Sequence, residues 1–266
     1  MEDGSPLIEW IIALALFCGL VGCLEVAFRF GRRERLEHAG HTDQLATVQA
    51  AILGILALLL GFSFALSAGR FNGRSELILD EANGIGTAWL RCDLLPVEQR
   101  GEVRDLLRRY IDERVVFYDA NDAKTRTAAI VESEALQAGI WARVEAVAKA
   151  TPLLADVILT PFNDLFDLHG KRVAAVQRHL PVMLLLLLLA CSVVAVGAVG
   201  YGCGVAGKRN VVMTTALAFL VAAVLWAIID LDHPRRGLIR SGQQPMLDLQ
   251  KSLERKPALQ AAVPTQ

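Results

Sequence analysis

The sequence predicts an all-α membrane protein: four transmembrane helices with a helical bundle inserted between spans two and three. Three observations predict it. Hydrophobic residues make up 54% of the 266 residues, and they gather in four continuous blocks. Each block is close to the ~20 residues that a helix needs to cross hydrocarbon. The long segment between the second and third blocks is polar, with apolar residues at helical spacing, and strand alternation is scarce.

The first block is "LIEWIIALALFCGLVGCLEVAF", Leu7 to Phe28. Its leader "MEDGSP" is acidic and no small-residue cleavage site follows, so it reads as a retained helix. The second is "LATVQAAILGILALLLGFSFALSA", Leu45 to Ala68. In the polar segment, "VEQRGEVRDLLRRYIDERVVFYDA" follows Pro96, and Val103, Leu106, Leu107, Tyr110, Ile111 and Val115 recur at helical steps. "NDAKTRT" interrupts the pattern. A further helix, "AAIVESEALQAGIWARVEAVAKA", stops at Thr151–Pro152. The next runs through "LADVILTPFNDLFDLHGKRVAAVQRHL", with Pro161 and Gly170 as expected kinks. The third block is "LPVMLLLLLLACSVVAVGAVGYGC", Leu180 to Cys203, and its "GYGCG" reads as a turn at the span end. The fourth is "VVMTTALAFLVAAVLWAIIDL", Val211 to Leu231. The division is therefore 1–68 for spans one and two, 69–179 for the bundle, 180–233 for spans three and four, and 234–266 for a short tail, disordered from Lys256.

Charge excludes some functions. With 27 basic and 28 acidic residues, the chain has no whole-chain reason to bind nucleic acid. The five cysteines form no C-x-x-C pair, so neither a disulfide framework nor a zinc site is indicated, and they read as small buried hydrophobes. Glycine-rich phosphate loops, nucleophile elbows and zincin motifs are absent, and the chain reads as a non-enzyme with no cofactor. Asp164 and Asp167 share a helical face, but with His169 they lack a third metal ligand at standard spacing.

The candidate functional residues lie in "GFSFALSAGRFNGRSELILDEANGIG", Gly61 to Gly86, where a spanning helix runs into polar sequence without a break. Read as one helix, it has three stripes. Ala50, Gly54, Ala57, Gly61, Ala65 and Ala68 are small and suit close helix packing. Ser63, Ser67, Arg70 and Arg74 form a polar boundary stripe, and Asn72, Glu76, Asp80, Asn83 and Thr87 form another beyond it. Two readings stand. Arg70 and Arg74 anchor the helix at the headgroups, or this helix lines an oligomer's axis, with Phe62, Phe64 or Leu66 as constriction and the serines and arginines as mouth. Asp230 and Asp232 end span four in "IIDLDHPRRG" and call for a cation, from Arg70, Arg74, Arg235 or Arg236. Glu25 has Arg29 four residues on, the favourable order for a local pair.

"LLGFSFALSAGRFNGRSELILDEANGIGTAWLRCDLLP", "FNDLFDLH" and "IIDLDHPRRGLIR" resemble bacterial multi-pass membrane proteins of bestrophin-like type, over about Leu45 to Leu249. The resemblance implies a bacterial inner-membrane protein that self-associates within the lipid bilayer. It also implies a remote relation to bestrophins, pentameric anion channels whose second span lines the pore. By that relation Phe62 and Phe64 lie in the pore span, and a small anion is the expected ligand if Arg70 and Arg74 face the axis. The bundle would then be cytoplasmic, whereas the density of arginines around Arg29–Arg35 favours the opposite face. The alternative function is a non-conducting membrane sensor or scaffold whose bundle binds a ligand or partner.

Overall fold

The structure is a computed structural model and describes residues 6–34, 42–120, 122–233, 239 and 242–261. Eight α-helices stand among the described residues: α1 Pro6–Arg33, α2 Thr42–Arg91, α3 Val97–Asp119, α4 Ala123–Ala150, α5 Ala155–Gln177, α6 Val182–Ala206, α7 Val211–Asp232 and α8 Gln244–Ala261. Two single 3-10 turns, Cys92–Leu94 and Pro152–Leu154, precede α3 and α5. Four of the helices are long and apolar enough to cross a membrane. The residues form two compact units, a membrane unit of α1, α2 up to Phe71, α6 and α7, and a bundle unit of α2 from Asn72, α3, α4, α5 and α8.

In the membrane unit, α1 packs along α6 and α7. The core holds Leu20, Leu24, Leu56, Leu60, Leu188, Val196, Leu225 and Ile228. Between α1 and α7, Trp10 stacks on Trp226 with centroids 6.4 Å apart, and Phe17 meets Phe219 edge-on at 6.0 Å. The α1–α6 seam is made by glycine. A Cβ on Gly200 would strike the Leu24 carbonyl, and one on Gly204 would strike the Phe28 carbonyl. Gly31 of α1 meets the Tyr201 carbonyl in the same way. "GYGCG" is therefore helical and serves backbone approach, whereas the turn falls later. Gly207 closes α6 at φ 66°, the left-handed region that glycine enters freely. Asn210 then caps α7, its side chain accepting the Met213 N–H at 3.2 Å.

In the bundle unit, α3 packs on α4 and on α8, and α4 packs on α5. Asp122 caps α4 by accepting the Thr125 N–H at 2.8 Å. Pro161 lies inside α5, which continues through it. The core joins Ile85, Trp89, Leu107, Ile111, Ile140, Val144, Ile158, Phe162 and Leu165. Met246 and Leu253 of α8 are buried in the same core. The expected tail is instead a helix to Ala261 that passes Lys256. Cysteine burial also differs from expectation. All five are free, but only Cys92 is fully buried, and Cys18 sits on the outer surface of α1.

The glycine seam has a direct test. Gly204→Val should destabilise the protein in detergent by roughly 1–3 kcal/mol, the usual cost of overpacking. Gly22→Ala, where a Cβ meets nothing within 4 Å, should leave the melting temperature unchanged.

Candidate functional site

Helix α2 has two opposed faces. In its membrane half, Leu56, Leu60, Ser63 and Ser67 are buried, while Phe62, Phe64 and Leu66 are 67%, 43% and 45% exposed. In its bundle half, Arg74, Ile78, Glu81, Ile85 and Trp89 are buried. Asn72, Glu76, Asp80, Asn83 and Thr87 are all exposed. Each face repeats every three to four residues along the helix. Phe62 and Phe64 do not share a face, since two residues advance the helix by about 200°.

The serine–arginine stripe points into the chain. Ser67 Oγ is fully buried and has no hydrogen-bond partner among the described residues. Arg70 reaches Asp232, Nη1 to Oδ1, at 3.9 Å, beyond hydrogen-bond range. Asp232 is also held by the backbone, both carboxylate oxygens accepting the Leu180 N–H at 3.0 Å. Asp230 accepts the Ile239 N–H at 3.0 Å. Arg235 and Arg236 lie outside the described residues. At the other end of the membrane unit, Glu25 accepts from Arg29 at 2.9 Å and from Arg209 at 2.5 Å. The second contact spans 184 positions and has no local sequence signal.

The most concentrated chemistry in the bundle unit was not anticipated. Glu81, fully buried on α2, receives two guanidiniums. Arg114 of α3 donates through Nε at 2.7 Å, and Arg172 of α5 donates to the other carboxylate oxygen. Tyr110 donates its hydroxyl to Glu81 at 2.8 Å. Phe117 lies under the Arg114 guanidinium at 4.5 Å. Burial alone would raise the Glu81 pKa, but Arg114 and Arg172 outweigh it and hold the carboxyl below its ordinary value. His169 Nδ1 lies 3.3 Å from the Tyr110 oxygen. Because that hydroxyl gives its proton to Glu81, the imidazole donates from Nδ1, and its buried Nε2 has no hydrogen-bond partner among the described residues. A second proton would enter a dry site beside two cations. Burial first, then Arg114, push the His169 pKa down to about 4. Asp164 and Asp167 are exposed on the opposite side of α5, so they do not join His169 in any ligand set.

Two outcomes follow. Glu81→Gln strands two buried guanidiniums and should cost about 3–5 kcal/mol, whereas replacing Glu81, Arg114 and Arg172 together by apolar residues should cost less. Denaturant titration in detergent measures both. The second outcome concerns acid. The unfolded chain binds a proton at His169 near pH 6.5 and the folded chain only near 4, so the neutral form's stability is complete above about 6.5 and declines down to about 4. The Glu81 contribution is lost at still lower pH, as its depressed folded pKa is crossed. Melting temperature against pH should fall through the first window in the native protein, and less steeply in His169→Gln.

Comparison with known proteins follows the same architecture. A sequence profile of the family described as Bestrophin-like domain matches residues 14–246. The fold is similar to that of a bacterial Bestrophin homolog from Klebsiella pneumoniae carrying one tryptophan-to-alanine substitution, with TM-score 0.62 and 13% identity over 91% of this chain and 96% of that one. It is also similar to a structure described as a membrane protein, with TM-score 0.59 and 14% identity over 93% of this chain and all of that one. Identities this low speak to the fold alone. No curated protein matches the sequence significantly. The profile covers most of the chain, and the four apolar helices agree with it: this chain belongs to the Bestrophin-like family of membrane proteins.

Proposed function

We propose that the chain assembles in the bacterial inner membrane into an oligomeric ion channel of bestrophin-like type, with the exposed face of α2 lining the conduit. The observation that carries this is the division of α2. Its polar side chains in the membrane half turn inward, and its outer face carries Phe62 and Leu66. Next to them run small residues, and a Cβ at Gly54 or Gly61 would meet nothing within 4 Å. Small residues let a neighbouring copy approach closely. Phe62 and Leu66 would then form an apolar constriction of the kind that gates by dewetting.

Ion preference follows from which charges that face holds. Anion preference requires Arg70 and Arg74 at the axis. Arg70 instead reaches Asp232, and Arg74 is 5% exposed. Further along the same helix, the ionised groups on the exposed stripe are Glu76 and Asp80. Rings of acids favour cations, so the geometry supports cation over anion conduction.

In planar bilayers under a potassium chloride gradient, the purified protein should reverse near the potassium equilibrium potential. Glu76→Gln with Asp80→Asn should move reversal toward zero, and Phe62→Ala should raise conductance. Reversal at the chloride potential would return selectivity to the arginines. Currents equal to those of empty bilayers would favour the non-conducting sensor or scaffold.

A further inference from the structure

The ends of α6 and α7 bring together three side chains that the proposed conduit does not use. His179 lies just before α6, Asp232 is the last residue of α7, and His233 follows it. One potential ligand atom from each lies within 4.8 Å of the others. His179 Nδ1 is 3.5 Å from Asp232 Oδ2. The two imidazoles stack with centroids 5.4 Å apart at 25°.

Two further features prepare this cluster for a ligand. His233 Nδ1 lies 3.0 Å from the Ile229 carbonyl oxygen, which can only accept. Nδ1 therefore carries the proton, and Nε2 presents a lone pair. That is the arrangement of metal-ligating histidines, whose other nitrogen donates to a carbonyl or carboxylate. Asp232 is 1% exposed and fixed by the Leu180 N–H, so its carboxylate is oriented before any ion arrives. Arg70 stands at Oδ1 and His179 at Oδ2, so the histidines approach the carboxylate from its Oδ2 side.

We propose that His179, Asp232 and His233 bind a divalent late first-row transition metal ion, of which Zn2+ is the representative. Two imidazoles and one carboxylate suit such ions, whereas Ca2+ and Mg2+ need more oxygens. Tetrahedral coordination at about 2.0–2.1 Å brings ligand atoms to about 3.3 Å from one another. The cluster must therefore close by up to about 1.5 Å, and the half-exposed His179 is the group free to turn. Three protein ligands leave the fourth position to water. The bound ion would tie the start of α6 to the end of α7, beside Arg70 of α2. Nothing in this site requires the chain to conduct.

The test uses the full-length protein in detergent, without a polyhistidine tag and stripped with chelator. Zn2+ titrated into it calorimetrically should bind at one ion per chain and raise the melting temperature. His179→Ala and His233→Ala should each weaken binding by roughly tenfold or more, and the double variant should lose both the heat and the melting shift. Co2+ bound to the native protein should give the strong visible absorption of a tetrahedral site, and should not do so in the double variant. Because His179 is exposed, His179→Ala leaves the fold intact even if His233→Ala or Asp232→Asn does not. No saturable binding to the native protein, or equal binding to the double variant, would overturn the site.

Discussion

One carboxylate shared by two guanidiniums organises the bundle unit. Glu81 comes from α2, Arg114 from α3 and Arg172 from α5, and all three side chains are at most 3% exposed. Burying a charge costs several kcal/mol unless it is paired and hydrogen-bonded. The three helices therefore have one low-energy register, the one in which the forks of both arginines meet the same carboxylate. Tyr110 and His169 extend that demand outward, because each proton in the chain has one place to go. The cluster holds one more positive than negative charge, and Phe117 answers part of that excess with its ring face.

The membrane unit solves a different problem with different means. Lipid offers no hydrophobic drive between helices, so packing and backbone approach must do the holding. Gly200 and Gly204 bring α6 onto the carbonyls of α1, and ion pairs such as Glu25–Arg209 and Arg70–Asp232 supplement that packing. The central parts of the spans are left to leucine, alanine and valine. Helix α2 takes part in both regimes. It supplies leucines to the membrane core and Glu81 to the bundle core.

What the sequence disclosed follows from what periodicity can carry. The four spans, the bundle helices and the opposed stripes of α2 are local patterns, and they could be read directly. The stripe Asn72–Thr87 was legible for the same reason. Glu81 was not, because a single acid on an apolar face has no local mark, and its partners lie 33 and 91 positions away. His179 and His233 were hidden likewise, with two spans between them. "GYGCG" misled because glycine serves turns and close approach alike, and only the neighbour decides which. The tail hid α8, whose two buried anchors, Met246 and Leu253, are too few to stand out.

The placement of α8 has a consequence for how the protein is made. Glu81, Arg114 and Arg172 all precede α8 by more than 70 positions, so the ionic heart of the bundle can close before α8 is made. Domains generally fold as units in the order they are synthesised. The seat for Met246 and Leu253 is part of the same core, yet its occupants arrive only after spans three and four. Between those two moments the nascent bundle presents an apolar groove to the compartment in which it stands. Timing of membrane insertion, and any chaperone that covers that groove, therefore bears on the yield of the finished protein as directly as the stability of the fold itself.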